Sequence, residues 1–104
     1  MKKLFLSALA LSCVFSTQAL AGLADNAAIF VGNITTRGQV RSDFGTYWNQ
    51  ITAENECKWA SIEGSRGNYN WSGCDAAYNW AKQNGGHFKF HALVWGSQYP
   101  NWLN

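Results

Sequence analysis

The sequence predicts an α/β fold built on parallel strands. Three short segments that read as strands carry that expectation, at residues 29–34, 50–54 and 87–95. Between them lie two segments with helical spacing, 42–49 and 72–83, each opening on a residue able to cap a helix. Strands that alternate with helices pair in parallel, joined by crossover connections.

Residues 1–21 precede this pattern and read differently. Lys2 and Lys3 lead, residues 4–14 are apolar, and Ala19-Leu20-Ala21 follows. That is the order of a secretory signal peptide, with cleavage expected after Ala21. The apolar stretch is too short to anchor stably across a bilayer. Cys13 leaves with the signal, and residues 22–104 form the mature part. Losing Lys2 and Lys3 leaves six basic residues against six acidic ones, so the net charge of +2 falls to zero. No basic patch then speaks for nucleic acid or an anionic membrane, and a neutral partner is expected.

The first strand, 29–34, is a compact apolar run ending in turn residues. Helix 42–49 starts at Ser42-Asp43 and continues with Phe44, Tyr47 and Trp48 at helical spacing. The second strand runs into Thr52-Ala-Glu-Asn-Glu-Cys-Lys-Trp59, which sets two carboxylates, an amide, an ammonium and an indole within eight positions. If extended, it places Glu54, Glu56 and Lys58 on one side and Asn55, Cys57 and Trp59 on the other. If the chain breaks into a loop after Ile51, all of them converge on one cleft. Either arrangement suits a hydroxyl-rich ligand, which needs matched donors and acceptors. The plainer alternative is a solvated loop with an ion pair from Glu54 or Glu56 to Lys58.

Residues 64–71 are rich in turn formers, and helix 72–83 follows. Ser72 is the expected cap, Asp75 complements the helix dipole, and Asn84-Gly85-Gly86 ends the helix. Cys74, Ala77, Tyr78 and Ala81 make one stripe expected to be buried. The third strand, 87–95, brings His91, Trp95 and nearby Gln98 to its carboxyl end, where α/β folds place ligand sites. An imidazole and an amide add donors and acceptors, and an indole offers a flat face to a sugar ring. Taken singly, His91 reads equally well as a core histidine and Trp95 as a packing aromatic. Cys57 and Cys74, an even pair in an exported chain, suggest a disulfide, the alternative being two free thiols. No metal or cofactor is expected, since His87 and His91 fall four apart on a strand without a Cys-x-x-Cys partner.

Residues 30–103 resemble the start of a glycoside hydrolase family 10 endo-β-1,4-xylanase. The resemblance rests on Ile51-Thr-Ala-Glu-Asn-Glu-Cys-Lys-Trp59 and His91-Ala-Leu-Val-Trp-Gly-Ser-Gln-Tyr-Pro-Asn-Trp-Leu103, with Gly67-Asn-Tyr-Asn-Trp71 and Cys74-Asp75 between them. It implies about three β/α units from the N-terminal part of a secreted (β/α)8 TIM barrel. The implied activity is hydrolysis of the xylan backbone with retention of configuration. Carried over by position, Glu54, Asn55 and Lys58 would bind xylose hydroxyls in the glycone subsites. His91 would meet the sugar at the cleavage point, with Trp95 walling that subsite and Gln98 supporting it, while Trp59 would pack behind the loop.

Several positions depart from the family pattern. Gly96 stands where many members have a second His, Ala53 where Pro is usual, and Cys57 where Met is usual. The last change favours pairing Cys57 with Cys74. A retaining glycosidase needs two carboxyl groups about 5 Å apart. In this family they come from later strands, so the acid/base and the nucleophile are expected beyond Asn104. Glu54 and Glu56 are not a substitute, because the resemblance assigns Glu54 to binding. The chain is thus read as an N-terminal fragment, inactive alone, of an enzyme that acts on xylan or xylo-oligosaccharides as a monomer. The alternatives are a secreted carbohydrate-binding protein and an inactive remnant. Barrel glycosidases acting on cellulose or mixed β-glucans are the nearest chemical rival.

Overall fold

The computed structural model describes Leu23 and residues 28–104. The signal segment, including Cys13, lies outside the described residues. Three strands form one sheet: β1 (Gly32–Ile34), β2 (Gln50–Thr52) and β3 (His87–Lys89). Their order is β1-β2-β3 and both pairings are parallel, as expected. Asn49 draws the strands together at their entry. Its side-chain Oδ1 accepts from Val31 N (3.0 Å), its N–H donates to Val31 O (3.1 Å), and its carbonyl accepts from His87 N (2.8 Å).

The strands are shorter than the segments that announced them. β2 turns away after Thr52, so the chain from Phe90 to Trp95 has no neighbouring strand in the described sheet with which to continue a ladder. In register, Ile51 lies between Asn33 and Phe88, while Gln50 and Thr52 pair with His87 and Lys89. Alternation then separates two faces. Ile51 is fully buried toward the helix side, with Phe88 packed beside it. On the other face Gln50 Nε2 donates to Thr52 Oγ1 at 2.8 Å.

Helix α1 (Phe44–Tyr47) is one turn, where 42–49 was expected. Asp43 does not cap it, because its carboxylate is held by Arg41 at 2.7 Å, and Trp48 is already extended. Phe44 remains buried and meets Trp80 edge to face, with ring centroids 4.7 Å apart. Helix α2 (Trp59–Ile62) is a further single turn without a sequence signal of its own.

Helix α3 (Ser72–Asn84) is the long element, one residue longer than expected. Its N-cap is Trp71 and not Ser72. Asn70 supplies the acceptor instead, its Oδ1 taking Ser72 N at 3.1 Å and Ser72 Oγ at 2.7 Å. Gly85 ends the helix in the left-handed region (φ 65°), a conformation glycine adopts without the usual Cβ clash. Cys74, Ala77 and Ala81 form the buried stripe. Tyr78 does not belong to it: the helix rests on the sheet along small residues, so the long Tyr78 side chain lies at the margin, half exposed, edge-on to Phe88. Among the described residues, no helix is long and apolar enough to cross a membrane.

Cys57 and Cys74 are joined as a disulfide, with Cα atoms 4.7 Å apart, and both are buried. The bridge ties the turn after β2 to the first turn of α3. Together with Phe44, Ile51, Ala53, Ala77 and Ala81 it forms the core between sheet and helix. Closing a loop across 17 positions is expected to contribute roughly 3 kcal/mol. Reduction with dithiothreitol should therefore lower the melting midpoint of the full-length protein by several degrees. An unchanged midpoint would remove the bridge from the account of stability.

Candidate functional site

At Ala53 the chain leaves the sheet, and residues 54–58 form a polar turn at the carboxyl end of β2. This is the loop alternative of the two arrangements left open by the sequence. Backbone N–H groups in such a turn have no ladder partner and must be satisfied locally. Glu54 N donates to Thr35 Oγ1 at 2.9 Å, Asn55 N to Glu56 Oε2 at 3.2 Å, and Lys58 N to Asn55 O at 3.0 Å. Thr35, which is 1% exposed, also donates its hydroxyl to Glu56 Oε2 at 3.0 Å.

A second turn closes from the side of β1. Thr36 and Gln39 exchange both backbone hydrogen bonds across Arg37 and Gly38, which have φ of 51° and 74°. Two central residues with positive φ make a primed turn. It aims Arg37 N at Glu54 Oε2, 3.3 Å away.

Asn55 is the hub. Its Oδ1 accepts from Lys58 Nζ and from Gln98 Nε2, both at 2.9 Å. Two donors on one atom fix which end of the amide is oxygen. Its Nδ2 donors then point elsewhere, and no described residue takes them up. Gln98 comes from 43 positions away, in the loop after β3. Its own backbone is held by Ala60 N donating to Gln98 O at 3.0 Å.

The far side of that loop is anchored through Glu63, a buried carboxylate. Trp59 Nε1 donates to its Oε2 at 2.8 Å and Gly67 N to its Oε1 at 2.7 Å. Trp102 Nε1 donates to the Glu63 carbonyl at 2.8 Å, and the Trp59 and Trp102 rings meet edge to face. Trp59 thus packs behind the loop, the place expected for it.

Asn55, Lys58 and Gln98 are therefore brought together by hydrogen bonds, while Glu54, next in the same turn, is bonded to Arg37 N instead. His91 and Trp95 are near one another, with ring centroids 6.3 Å apart, and both are exposed. No hydrogen bond among the described residues joins either to the Asn55 cluster. The ion pair from Glu54 or Glu56 to Lys58 is also absent among the described residues, where Arg41–Asp43 is the single salt bridge. Thr35 and the Arg37 backbone were missed by sequence reasoning. Thr35 directly follows β1, so a parallel β1–β2 pairing drawn in register would have placed it beside residues 52–54. No group of three or more possible metal ligands occurs among the described residues.

Chemically, the cluster presents carboxylate, amide and ammonium groups on one turn, with a second amide from the β3 loop. Such a set can both accept from and donate to vicinal hydroxyls. A family model described as glycosyl hydrolase family 10 matches residues 13–104. The chain belongs to glycosyl hydrolase family 10. It is 60% identical over 75 residues to endo-1,4-beta-xylanase B of Cellvibrio japonicus, covering 72% of this chain and 12% of that relative. Among solved structures it superposes on xylanase B from Clostridium stercorarium F9 with a TM-score of 0.68 and 34% identity, over 81% of this chain and 26% of that one. It also superposes on xylanase 10B from Thermotoga petrophila RKU-1, solved with xylobiose, with a TM-score of 0.62 and 28% identity, over 82% of this chain and 28% of that one. The chain thus spans about a quarter of the length of these solved family 10 structures and less of the Cellvibrio relative. Its three parallel strands correspond to an N-terminal part of the family's (β/α)8 barrel. The polar turn occupies the strands' carboxyl ends, the end of a barrel that carries its sites.

Two carboxyls in this region sit below their ordinary value. Burial pushes Glu56 up, but hydrogen bonds from backbone N–H groups and the Thr35 hydroxyl outweigh it. Glu63 is lowered by the Trp59 indole and by Gly67 N, against burial. A carboxyl lowered on folding adds stability that is complete above the unfolded value, about 4.3. That stability is lost as pH falls through the lower folded value. Glu63→Gln should therefore flatten the acid side of the stability profile, read as melting midpoint from pH 7 to 2.5. A profile as steep as that of the unsubstituted protein would contradict the assignment.

Proposed function

We propose that this chain belongs to a secreted endo-1,4-β-xylanase that hydrolyses the xylan backbone with retention of configuration. The observation that carries the reading is the Asn55 hub. Asn55, Lys58 and Gln98 form one hydrogen-bonded cluster at the end of β2, with Glu54 beside them in the same turn, in a family 10 chain with xylanases as relatives. Glu54, Asn55 and Lys58 hold the hydroxyls of a xylose unit on the glycone side. Glu54 accepts, Lys58 donates, and Asn55 donates through Nδ2 while its Oδ1 keeps Lys58 and Gln98 in place. His91 meets the sugar at the cleavage point and Trp95 walls it with an apolar face. The β-1,4-linked xylose backbone carries no charge, in keeping with the zero net charge of residues 22–104. The enzyme acts as a monomer without a cofactor.

The two catalytic carboxylates lie outside the 104 residues in this proposal, and the chain alone is inactive. Glu56 is engaged by Thr35 and by its own turn, which leaves it unsuited to protonate a leaving group. A (β/α)8 barrel takes about 250 residues to close. Leu93 and Val94, 74% and 73% exposed here, are surfaces such a barrel would cover. Export follows from residues 1–21, and N-terminal sequencing of the extracellular protein should begin at Gly22.

The test is hydrolysis by the full-length protein, with xylan, cellulose and mixed β-glucan compared. Reducing sugar should be released from xylan, the first-formed anomer being β by NMR. Asn55→Ala should raise KM for xylo-oligosaccharides by roughly tenfold or more, the size of a lost hydrogen-bonding hub in a polar site. Residues 22–104 alone should release no more than their Glu54→Ala variant. Preferential release from cellulose, or an unchanged KM for Asn55→Ala, would overturn the reading.

A further inference from the structure

Glu56, in the middle of the polar turn, spends its carboxylate on the protein's own chain. Its carboxylate joins two pieces of chain. Oε2 accepts the Thr35 hydroxyl at 3.0 Å and Asn55 N at 3.2 Å. Gly38, in the primed turn after β1, packs beside it: a Cβ there would stand 3.5 Å from Glu56 Cγ. Thr35 Oγ1 is used twice, donating to Glu56 and accepting Glu54 N at 2.9 Å. A continuous chain of hydrogen bonds therefore runs from Glu54 N through Thr35 and Glu56 to Asn55 N. It clamps the backbone of the two residues that present the acid and the hub amide.

Helix α3 closes the back of this clamp. A Cβ placed on Gly73 would lie 2.8 Å from both Cβ and Cγ of Glu56, so only glycine lets the helix start approach so closely. Beside it, the Cys57–Cys74 bridge fixes the same turn to the same end of α3. The Glu56 stem is thus packed against the start of α3 beside the disulfide, and its head is held by Thr35 Oγ1 and Asn55 N. The hydroxyl of Thr35 is buried, so water does not compete for it.

We infer that Glu56, acting through Thr35, is a positioning residue that sets where Glu54 and Asn55 stand toward the sugar, without touching the sugar itself. The inference rests on the reading of Glu54, Asn55 and Lys58 as sugar-binding residues. A shift of the turn by a fraction of an ångström moves the Asn55 amide relative to Lys58 and Gln98. The loss therefore falls on binding of the glycone unit, which is felt equally in ground and transition states and appears in KM.

The experiment compares Glu56→Ala, Glu56→Gln, Thr35→Val and Asn55→Ala in the full-length enzyme on xylo-oligosaccharides, with active enzyme counted by titration. Glu56→Ala and Thr35→Val should each raise KM about tenfold with kcat within about twofold, as expected when supporting groups are lost from a bound site. Glu56→Gln keeps an oxygen for Thr35 and Asn55 N and should restore KM to within about twofold. Because Thr35 and Glu56 act as one unit, the double variant should be no worse than the poorer single one. A role in stability alone would lower the melting midpoint while leaving the KM of the active fraction unchanged, which would overturn the inference. So would a Glu56→Gln variant as impaired as Glu56→Ala. If Asn55→Ala raises KM and Glu56→Ala does not, the positioning role falls and the sugar site stands. If Asn55→Ala also leaves KM unchanged, both fall.

Discussion

A backbone that leaves a sheet must find partners for the amides it takes along, and here that requirement organises the site. β2 stops pairing after Thr52, and the next residues turn across the end of the sheet. The amides of Glu54 and Asn55 are met by side chains, one from β1's exit and one from within the turn. The polar cluster is therefore a consequence of how the strand ends. Remove the acceptors, and the turn has no reason to hold this shape. The apolar part of the turn answers to the core, where Ala53 and Cys57 are buried under α3.

Two supports work on opposite sides of that turn. On the β1 side lie Thr35 and the primed turn at Arg37-Gly38. On the β3 side lies Gln98, fixed by Ala60 and by the Glu63–Trp59–Trp102 assembly. Asn55 stands where they meet, and its amide oxygen is shared by donors from its own turn and from a distant loop. A shared acceptor of this kind couples the loops: displacing either changes the other's environment. The arrangement presents donors and acceptors in fixed directions, as recognition of several hydroxyls on one ring requires.

Much of this was legible in the sequence, for identifiable reasons. The parallel sheet followed from strand-like segments alternating with helical spacing, and the Cys57–Cys74 pair from an even count. Two polar blocks at successive strand ends were legible, but Gln98 was grouped with His91 and Trp95, whereas its side chain bonds Asn55. What sequence reasoning missed depends on contacts set by packing. Ser72 looks like a cap, yet Asn70, two residues earlier, accepts from its N–H and hydroxyl and takes that role. Tyr78 has the spacing of a buried residue, but a helix that approaches along Cys74, Ala77 and Ala81 leaves it at the edge. Thr35 is one threonine beside another in a polar segment, and only the strand register reveals that its hydroxyl is buried against Glu56.

The most direct measurement is a crystal structure of the full-length enzyme with xylobiose or xylotriose bound. A xylose ring should stand with hydroxyls within hydrogen-bond distance of Glu54, Asn55 Nδ2 and Lys58, roughly 2.7–3.2 Å. Glu56 and Thr35 should stay bonded to each other and clear of the sugar. A sugar bound elsewhere on the barrel, or one that breaks the Thr35–Glu56 bond to reach Glu56 directly, would contradict it.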